Sequence, residues 1–200
     1  MRQYATSVIV RFSGLVALLV LVVAGCGGTV EEQVAQPQAP PPTLLAEALP
    51  ELEVRARTLD AVQLAADSFD PDGLGSLLAN AGYLGGSERE FYGRSETFDH
   101  VVARTLRFAD VDGAEAYLRW LRANADDFLG KATPQAPLAL GSSPLLFSLE
   151  RCDVCKKQQP AFLAGWRRGP NVAFLLGQGA GVSRDQFETL SRALDERIGR

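Results

Sequence analysis

The stretch HVVARTLRFADVDGAEAYLRWLRANADDFLG, residues 100–130, joins a strand pattern directly to a helix pattern. Because side chains alternate between the two faces of a strand, Val102, Leu106 and Phe108 share one face, which we expect to be buried. Arg104 lies on that same face, where a charge without a partner would be costly. We therefore expect Arg104 to meet a carboxylate or to reach water at the end of the sheet, and otherwise to mark a ligand pocket.

The helix that follows this strand has a start, an apolar face and an end in the sequence. Asp112 and Glu115 form the pair of capping residues that is typical of a helix N-terminus. Gly130 is a typical residue at a helix C-terminus. The apolar residues between them recur at helical spacing, and they are Ala114, Tyr117, Leu118, Leu121, Ala125 and Phe128.

Similar patterns surround this stretch on both sides. Helix starts are predicted at Asp60 with Gln63, at Asp70 with Pro71, and at Ser183 with Gln186. Further strands are predicted at residues 53–59, 88–92, 145–152, 161–167 and 171–176. Since short loops between adjacent strands favour antiparallel pairing, the prediction is an α+β fold. It comprises a mainly antiparallel sheet of four to five strands, covered on one face by about three helices.

The N-terminus has the features of a secretory signal. Arg2 and Arg11 precede an apolar run, Leu15 to Ala24, which is shorter than the roughly 20 residues of a membrane span. The residues Val23-Ala24-Gly25-Cys26 resemble the lipobox of bacterial lipoproteins. The resemblance implies cleavage before Cys26, lipid on that cysteine, and attachment to the extracytoplasmic face of the cell membrane. The alternative is an ordinary signal peptide that happens to contain a cysteine.

Composition, together with what the lipobox resemblance implies, divides the chain into a signal peptide at residues 1–25, a lipidated cysteine and proline-rich spacer at 26–43, and one α+β domain at 44–200. The spacer contains four prolines and too few apolar residues to form a core. Removing residues 1–25 leaves 18 Lys and Arg against 24 Asp and Glu. An acidic chain without a basic stripe argues against nucleic acid as a partner.

The most compact chemical motif of the mature chain is Cys152-Asp153-Val154-Cys155. Outside the cytoplasm the favoured interpretation is a structural disulfide between Cys152 and Cys155. A redox pair is the second interpretation, because neighbouring cations favour a thiolate. It lacks the helix N-terminus at which a thioredoxin-type motif lies. A soft metal ion is the third, although a structural zinc site needs four Cys or His ligands and the mature domain offers too few.

Two further features are weak candidates for chemistry. His100 is the single histidine, but no Gly-x-Ser-x-Gly motif accompanies it, so we expect it at the surface where a strand begins. The glycine-rich residues 177–181 follow a strand, as a phosphate-binding loop does, yet their spacing favours a flexible turn. No catalytic residue, metal ligand or cofactor site is therefore predicted.

Residues 80–198 resemble small extracytoplasmic lipoproteins of high-GC bacteria, including sensor-like domains of actinobacteria. The resemblance rests on a Gly-Tyr turn before a strand, a strand that ends in Arg-Phe-Ala, a helix that contains Gly-Ala and Tyr-Leu, and a closing helix. It implies a sensor-like module and transfers no catalytic residues. Because the sequence shows no convergent set of base, nucleophile and metal ligands, we expect a non-catalytic module that binds a small ligand or an envelope protein. The alternatives are a thiol-disulfide or electron-transfer factor that uses Cys152 and Cys155, and a structural accessory lipoprotein.

Overall fold

A computed structural model describes residues 41–149 and 159–199. These residues form one antiparallel sheet in the order β1-β2-β3-β7-β6-β5-β4. The strands are β1 (Glu53–Leu59), β2 (Tyr83–Tyr92), β3 (His100–Phe108), β4 (Thr133–Pro134), β5 (Ser142–Leu149), β6 (Ala161–Arg168) and β7 (Asn171–Gln178). The helices are α1 (Ala61–Ala66), α2 (Pro71–Asn80), α3 (Val111–Ala123), α4 (Ala125–Leu129) and α5 (Arg184–Ile198), and a 3-10 turn spans Ala46–Ala48.

The mixed α+β class is retained, but the predicted count of four to five strands and about three helices is wrong. The described residues contain seven strands and five α-helices. The two edge strands carry little hydrophobic signal. Six of the seven residues of β1 are exposed, and β4 has only two residues, one of them Pro134. Edge strands of this kind are short or charged because an open edge invites aggregation.

Both faces of the sheet are covered, so the prediction of a single buried face is also wrong. Val102 and Leu106 of β3 pack on the first face, beneath α1 to α4. Val101 and Ala103, which are fully buried, pack on the second face, where α5 lies. The central strands therefore carry apolar residues on both sides.

The predicted helix starts are confirmed at three places, and the fourth shifts by two residues. Asp60 and Ser183 each form a complete capping box, and Asp70 accepts a hydrogen bond from the N–H of Gly73. Helix α3 is capped by Asp110 instead of Asp112, since the Asp110 side chain accepts from Gly113 N–H. The predicted helix at 112–130 is interrupted at Asn124, which divides it into α3 and α4.

Residues 41–44 run across the second face before the 3-10 turn. The carbonyl of Pro41 accepts a hydrogen bond from Thr105 Oγ1 at 2.8 Å, and Thr43 Oγ1 donates to the carbonyl of Ala103 at 3.2 Å. Leu44 is 1% exposed. The segment therefore runs opposite to β3 and leads toward the end of the sheet at which β3 begins. Within the described ranges, no helix combines the length and the apolar character needed to cross a membrane.

Candidate functional site

Arg104 meets carboxylates, as the sequence predicted. Its Nε donates to Glu88 Oε2 at 2.5 Å, and its Nη2 lies 3.5 Å from Asp67 Oδ2. Arg57 Nε donates to Glu88 Oε1 at 2.6 Å, and its Nη2 pairs with the same Asp67. The guanidinium of Arg104 also lies over the Phe174 ring, 5.3 Å from its centroid. These four charged side chains, Arg57, Asp67, Glu88 and Arg104, are called the ionic cluster below.

The ionic cluster is internally satisfied, which makes it a structural feature of the first face. Burial is the largest single influence on the pKa of Glu88 and acts to raise it. The hydrogen bonds and charges of Arg57 and Arg104 together outweigh burial and hold that pKa below its ordinary value of 4.5. Every buried side-chain nitrogen and oxygen in the described ranges has a hydrogen-bond partner. Arg104 therefore does not mark a ligand pocket.

His100 is the first residue of β3 and lies at the surface of the sheet. Its Nε2 lies 2.9 Å from Glu90 Oε1, and both side chains are about one-third exposed. On the same face, the guanidinium of Arg55 lies over the Tyr92 ring at 4.7 Å from its centroid. Within residues 41–149 and 159–199, no group of three or more His, Cys, Asp and Glu side chains is placed to hold a metal ion.

The glycine-rich residues 177–181 are tightly packed, which differs from the flexible turn that their sequence suggested. A Cβ at Gly179 would overlap the carbonyl oxygen of Thr97 and lie 2.7 Å from the Cα of Phe98. A Cβ at Gly181 would overlap the carbonyl oxygen of Glu96. Real Cβ atoms do not approach a neighbouring backbone this closely. The glycines therefore allow the segment before β3 to lie directly on the end of β7.

This close packing forms one wall of an apolar cleft at the end of the second face. The cleft has a volume of about 320 Å³ and lies between α5, the chain that precedes β1 and the chain that precedes β3. Its floor is apolar, with Leu49, Phe98 and Leu190 all buried. The complete lining is Ala48, Leu49, Glu51, Thr97, Phe98, Gln186, Thr189, Leu190 and Ala193.

Local hydrogen bonds hold the wall that contains Phe98. Ser95 Oγ accepts from the N–H groups of Thr97 and Phe98, and it donates to the Phe98 carbonyl at 2.8 Å. Gln186 Nε2 donates to Thr97 Oγ1 at 3.2 Å and so joins this wall to α5. Since hydrogen bonds fix the segment at both ends, the wall of the cleft is held by the fold itself, as the walls of small-molecule sites commonly are.

A second depression, of about 310 Å³, lies between the end of α2 and the start of α3. Its charged side chains are Asp110 and Asp112, and the carboxylate of Asp110 already accepts the Gly113 N–H at 2.8 Å. The helices touch tightly here, since a Cβ at Gly113 would lie 3.0 Å from the carbonyl carbon of Ala81. The depression is thus the junction of two helices, and the apolar cleft is the better candidate for a ligand site.

The lipid attachment site Cys26 and the predicted disulfide partners Cys152 and Cys155 lie outside the described residues. The disulfide remains a prediction. Intact-mass measurement with thiol trapping across glutathione and dithiothreitol buffers should give a potential below about −300 mV, as structural disulfides do. A pair that is reduced near about −200 mV would favour the redox interpretation instead.

Comparisons with known proteins identify distant structural similarity only. No family model matches the chain, and no curated protein matches it. The chain is similar to the extracellular domain of PknH from Mycobacterium tuberculosis, with a TM-score of 0.48 and 14% sequence identity. The similarity covers 78% of this chain and 92% of that one. At this distance it assigns neither a function nor site residues to the present chain.

Proposed function

We propose that the protein is a lipid-anchored, extracytoplasmic binding module of the cell envelope without catalytic activity, and that its ligand site is the apolar cleft. The observation that carries the proposal is the cleft itself, which has a buried apolar floor and a polar rim. Ligand sites in proteins typically have this composition, and volumes of roughly 300–1,000 Å³. The cleft lies at the lower end of this range, which suits a small ligand.

Attachment through Cys26 is the second part of the proposal, and it is supported by the resemblance of Val23-Ala24-Gly25-Cys26 to a lipobox. Replacing Cys26 with alanine should abolish palmitate labelling of the full chain and its partitioning into the detergent phase of a Triton X-114 separation. The matched control is Cys152→Ala, which leaves the lipobox intact and should keep both properties. A Cys26→Ala protein that still carries palmitate label and enters detergent would refute the attachment.

The ligand site can be tested with a neutral probe, 2-phenylethanol, and a variant that fills the cleft. Ala193 lies on α5 and lines the cleft, so Ala193→Phe should occupy part of the volume and weaken probe binding at least tenfold. Ala123→Phe adds the same ring at an exposed position in the last turn of α3 and should leave binding unchanged. Binding is measured as backbone amide shifts of Phe98 and Leu190 in the full chain. Equal probe affinity in the two variants would refute the site.

A further inference from the structure

We infer that the cleft binds an amphiphilic cation, that is, an apolar body that carries a protonated amine, because Glu51 stands at the rim of a buried apolar floor. This inference rests on the proposed function, since it names the ligand class of the same cleft. The apolar body is set by the floor and the charge by the rim. Each is argued separately below.

The floor selects an apolar body of modest size. Leu49, Phe98 and Leu190 are 6%, 4% and 6% exposed, so the surface they leave open lies at the bottom of the cleft. Covering apolar surface contributes roughly 25 cal/mol per Å². Most of the Phe98 ring packs within the core of the second face, so the floor presents only a small apolar area to the cleft. That area suits a group no larger than a benzene ring with a short chain.

The rim selects a positive charge. Glu51 is the single charged residue among the nine that line the cleft, and it forms no ion pair with any residue of the described ranges. An anion in the cleft would face this carboxylate at close range. A neutral ligand would not form an ion pair with the Glu51 carboxylate. An amine bound over the floor would pair with Glu51 across the rim.

The neighbouring polar groups of the rim support the same choice. Gln186 Oε1 already accepts hydrogen bonds from Ser183, while its Nε2 donates to Thr97 Oγ1. The Thr189 hydroxyl donates to the carbonyl of Asp185, so its oxygen is an acceptor that an ammonium group can use. No lining residue carries a positive charge that would compete for Glu51. The rim is therefore acidic and rich in acceptors.

The test compares three probes of one size and different charge: 2-phenylethylammonium, 2-phenylethanol and phenylacetate. Amide shifts of the full chain should give the tightest binding for the ammonium ion and the weakest for phenylacetate. Glu51→Gln should reduce ammonium binding about fivefold, or ~1 kcal/mol, the value of an exposed ion pair. Binding of 2-phenylethanol should not change. Glu47→Gln is the matched control, because Glu47 is equally exposed nearby but does not line the cleft.

The outcomes test the cationic ligand class and the location of the ligand site separately. If Glu51→Gln leaves ammonium binding unchanged, or if phenylacetate binds as tightly as the ammonium ion, the inference of a cationic ligand is overturned. Shifts of Phe98 and Leu190 with 2-phenylethanol would in that case still support the cleft. If none of the three probes shifts these residues, both the inference and the proposed function fail.

Discussion

Replacing Glu88 with alanine is expected to lower the free energy of unfolding by about 3–5 kcal/mol. Glu88 is 3% exposed and accepts hydrogen bonds from both Arg57 and Arg104. Its removal leaves Arg104, which is 9% exposed, with the longer 3.5 Å contact to Asp67 as its remaining ion pair. A buried charge without its partner is strongly destabilising. The midpoint of urea unfolding of the full chain measures the effect.

Glu90→Ala is the matched control for this prediction. Glu90 lies two residues further along the same strand and face, and its pair with His100 is about one-third exposed. Exposed ion pairs contribute about 0–1 kcal/mol, so the control should lose far less stability. A similar decrease in the free energy of unfolding of both variants would show that burial is not the reason why the ionic cluster stabilises the domain. If Glu88→Ala fails to fold, Glu88→Gln, which retains a hydrogen-bond acceptor, provides the comparison.

The ionic cluster also sets the direction of a pH effect. The pKa of Glu88 is lowered in the folded protein, so its ionised form is favoured by folding. This stabilisation is fully present above the ordinary pKa of 4.5 and is lost as the pH falls through the lower folded value. Unfolding midpoints measured between pH 7 and pH 3 should therefore fall more steeply for the natural protein than for Glu88→Gln.

Replacing Gly179 with alanine is expected to abolish probe binding to the cleft and to destabilise the domain by about 1–3 kcal/mol, as overpacking does. The new methyl group would overlap the carbonyl oxygen of Thr97 and lie 2.7 Å from the Cα of Phe98. Since both neighbours are backbone, the chain before β3 has to move away. That movement displaces the wall of the cleft, and 2-phenylethanol should no longer shift Leu190.

Gly75→Ala is the control, because it makes the same chemical change where space exists. The nearest atom to a Cβ at Gly75 is Ala65 Cβ at 3.8 Å, an ordinary contact. Gly75 lies inside α2, where alanine is favoured over glycine by about 1 kcal/mol. The control should gain stability and keep probe binding. A Gly179→Ala protein that binds the probe normally would contradict the conclusion that close packing at Gly179 positions the wall of the cleft.

Local features of the fold were predictable because the responsible contacts lie close together in the sequence. Asp60 with Gln63 and Ser183 with Gln186 form capping boxes over three residues. The apolar stripe of α5 is buried as its spacing predicted, at Phe187, Leu190, Leu194 and Ile198. Each cap is visible within one turn of helix, and the stripe is visible within the length of one helix. No knowledge of the rest of the chain is required.

The number of strands was not predictable from the same reasoning, because pairing of distant segments defines the edges of the sheet. The predicted strand at 53–59 is confirmed as β1, although six of its seven residues are exposed and its burial gives no sign of a sheet. β4 is recognised only by its pairing with Ser148 and Phe147 of β5. The second buried face was missed because β3 carries apolar residues on both of its faces. The periodicity of the sequence then does not show which face is buried.

The type of partner that Arg104 has was predictable from the sequence, whereas the position of the candidate ligand site was not. The charge of Arg104 required a carboxylate, and the structure identifies Glu88 and Asp67 as its partners. The cleft had no signal of its own, since its walls come from residues 48–51, 97–98 and 186–193. The glycines at 177–181 were visible in the sequence. Their packing against residues 96–99 requires the fold.

The most direct test of the central claim is a map of every assigned backbone amide in the full chain during titration with 2-phenylethanol. The account predicts that the largest shifts cluster at the residues that line the cleft, with Phe98 and Leu190 among them, and that they disappear in Ala193→Phe. Shifts concentrated around His100 and Glu90, or at the junction of α2 and α3, would contradict the claim that the cleft is the ligand site.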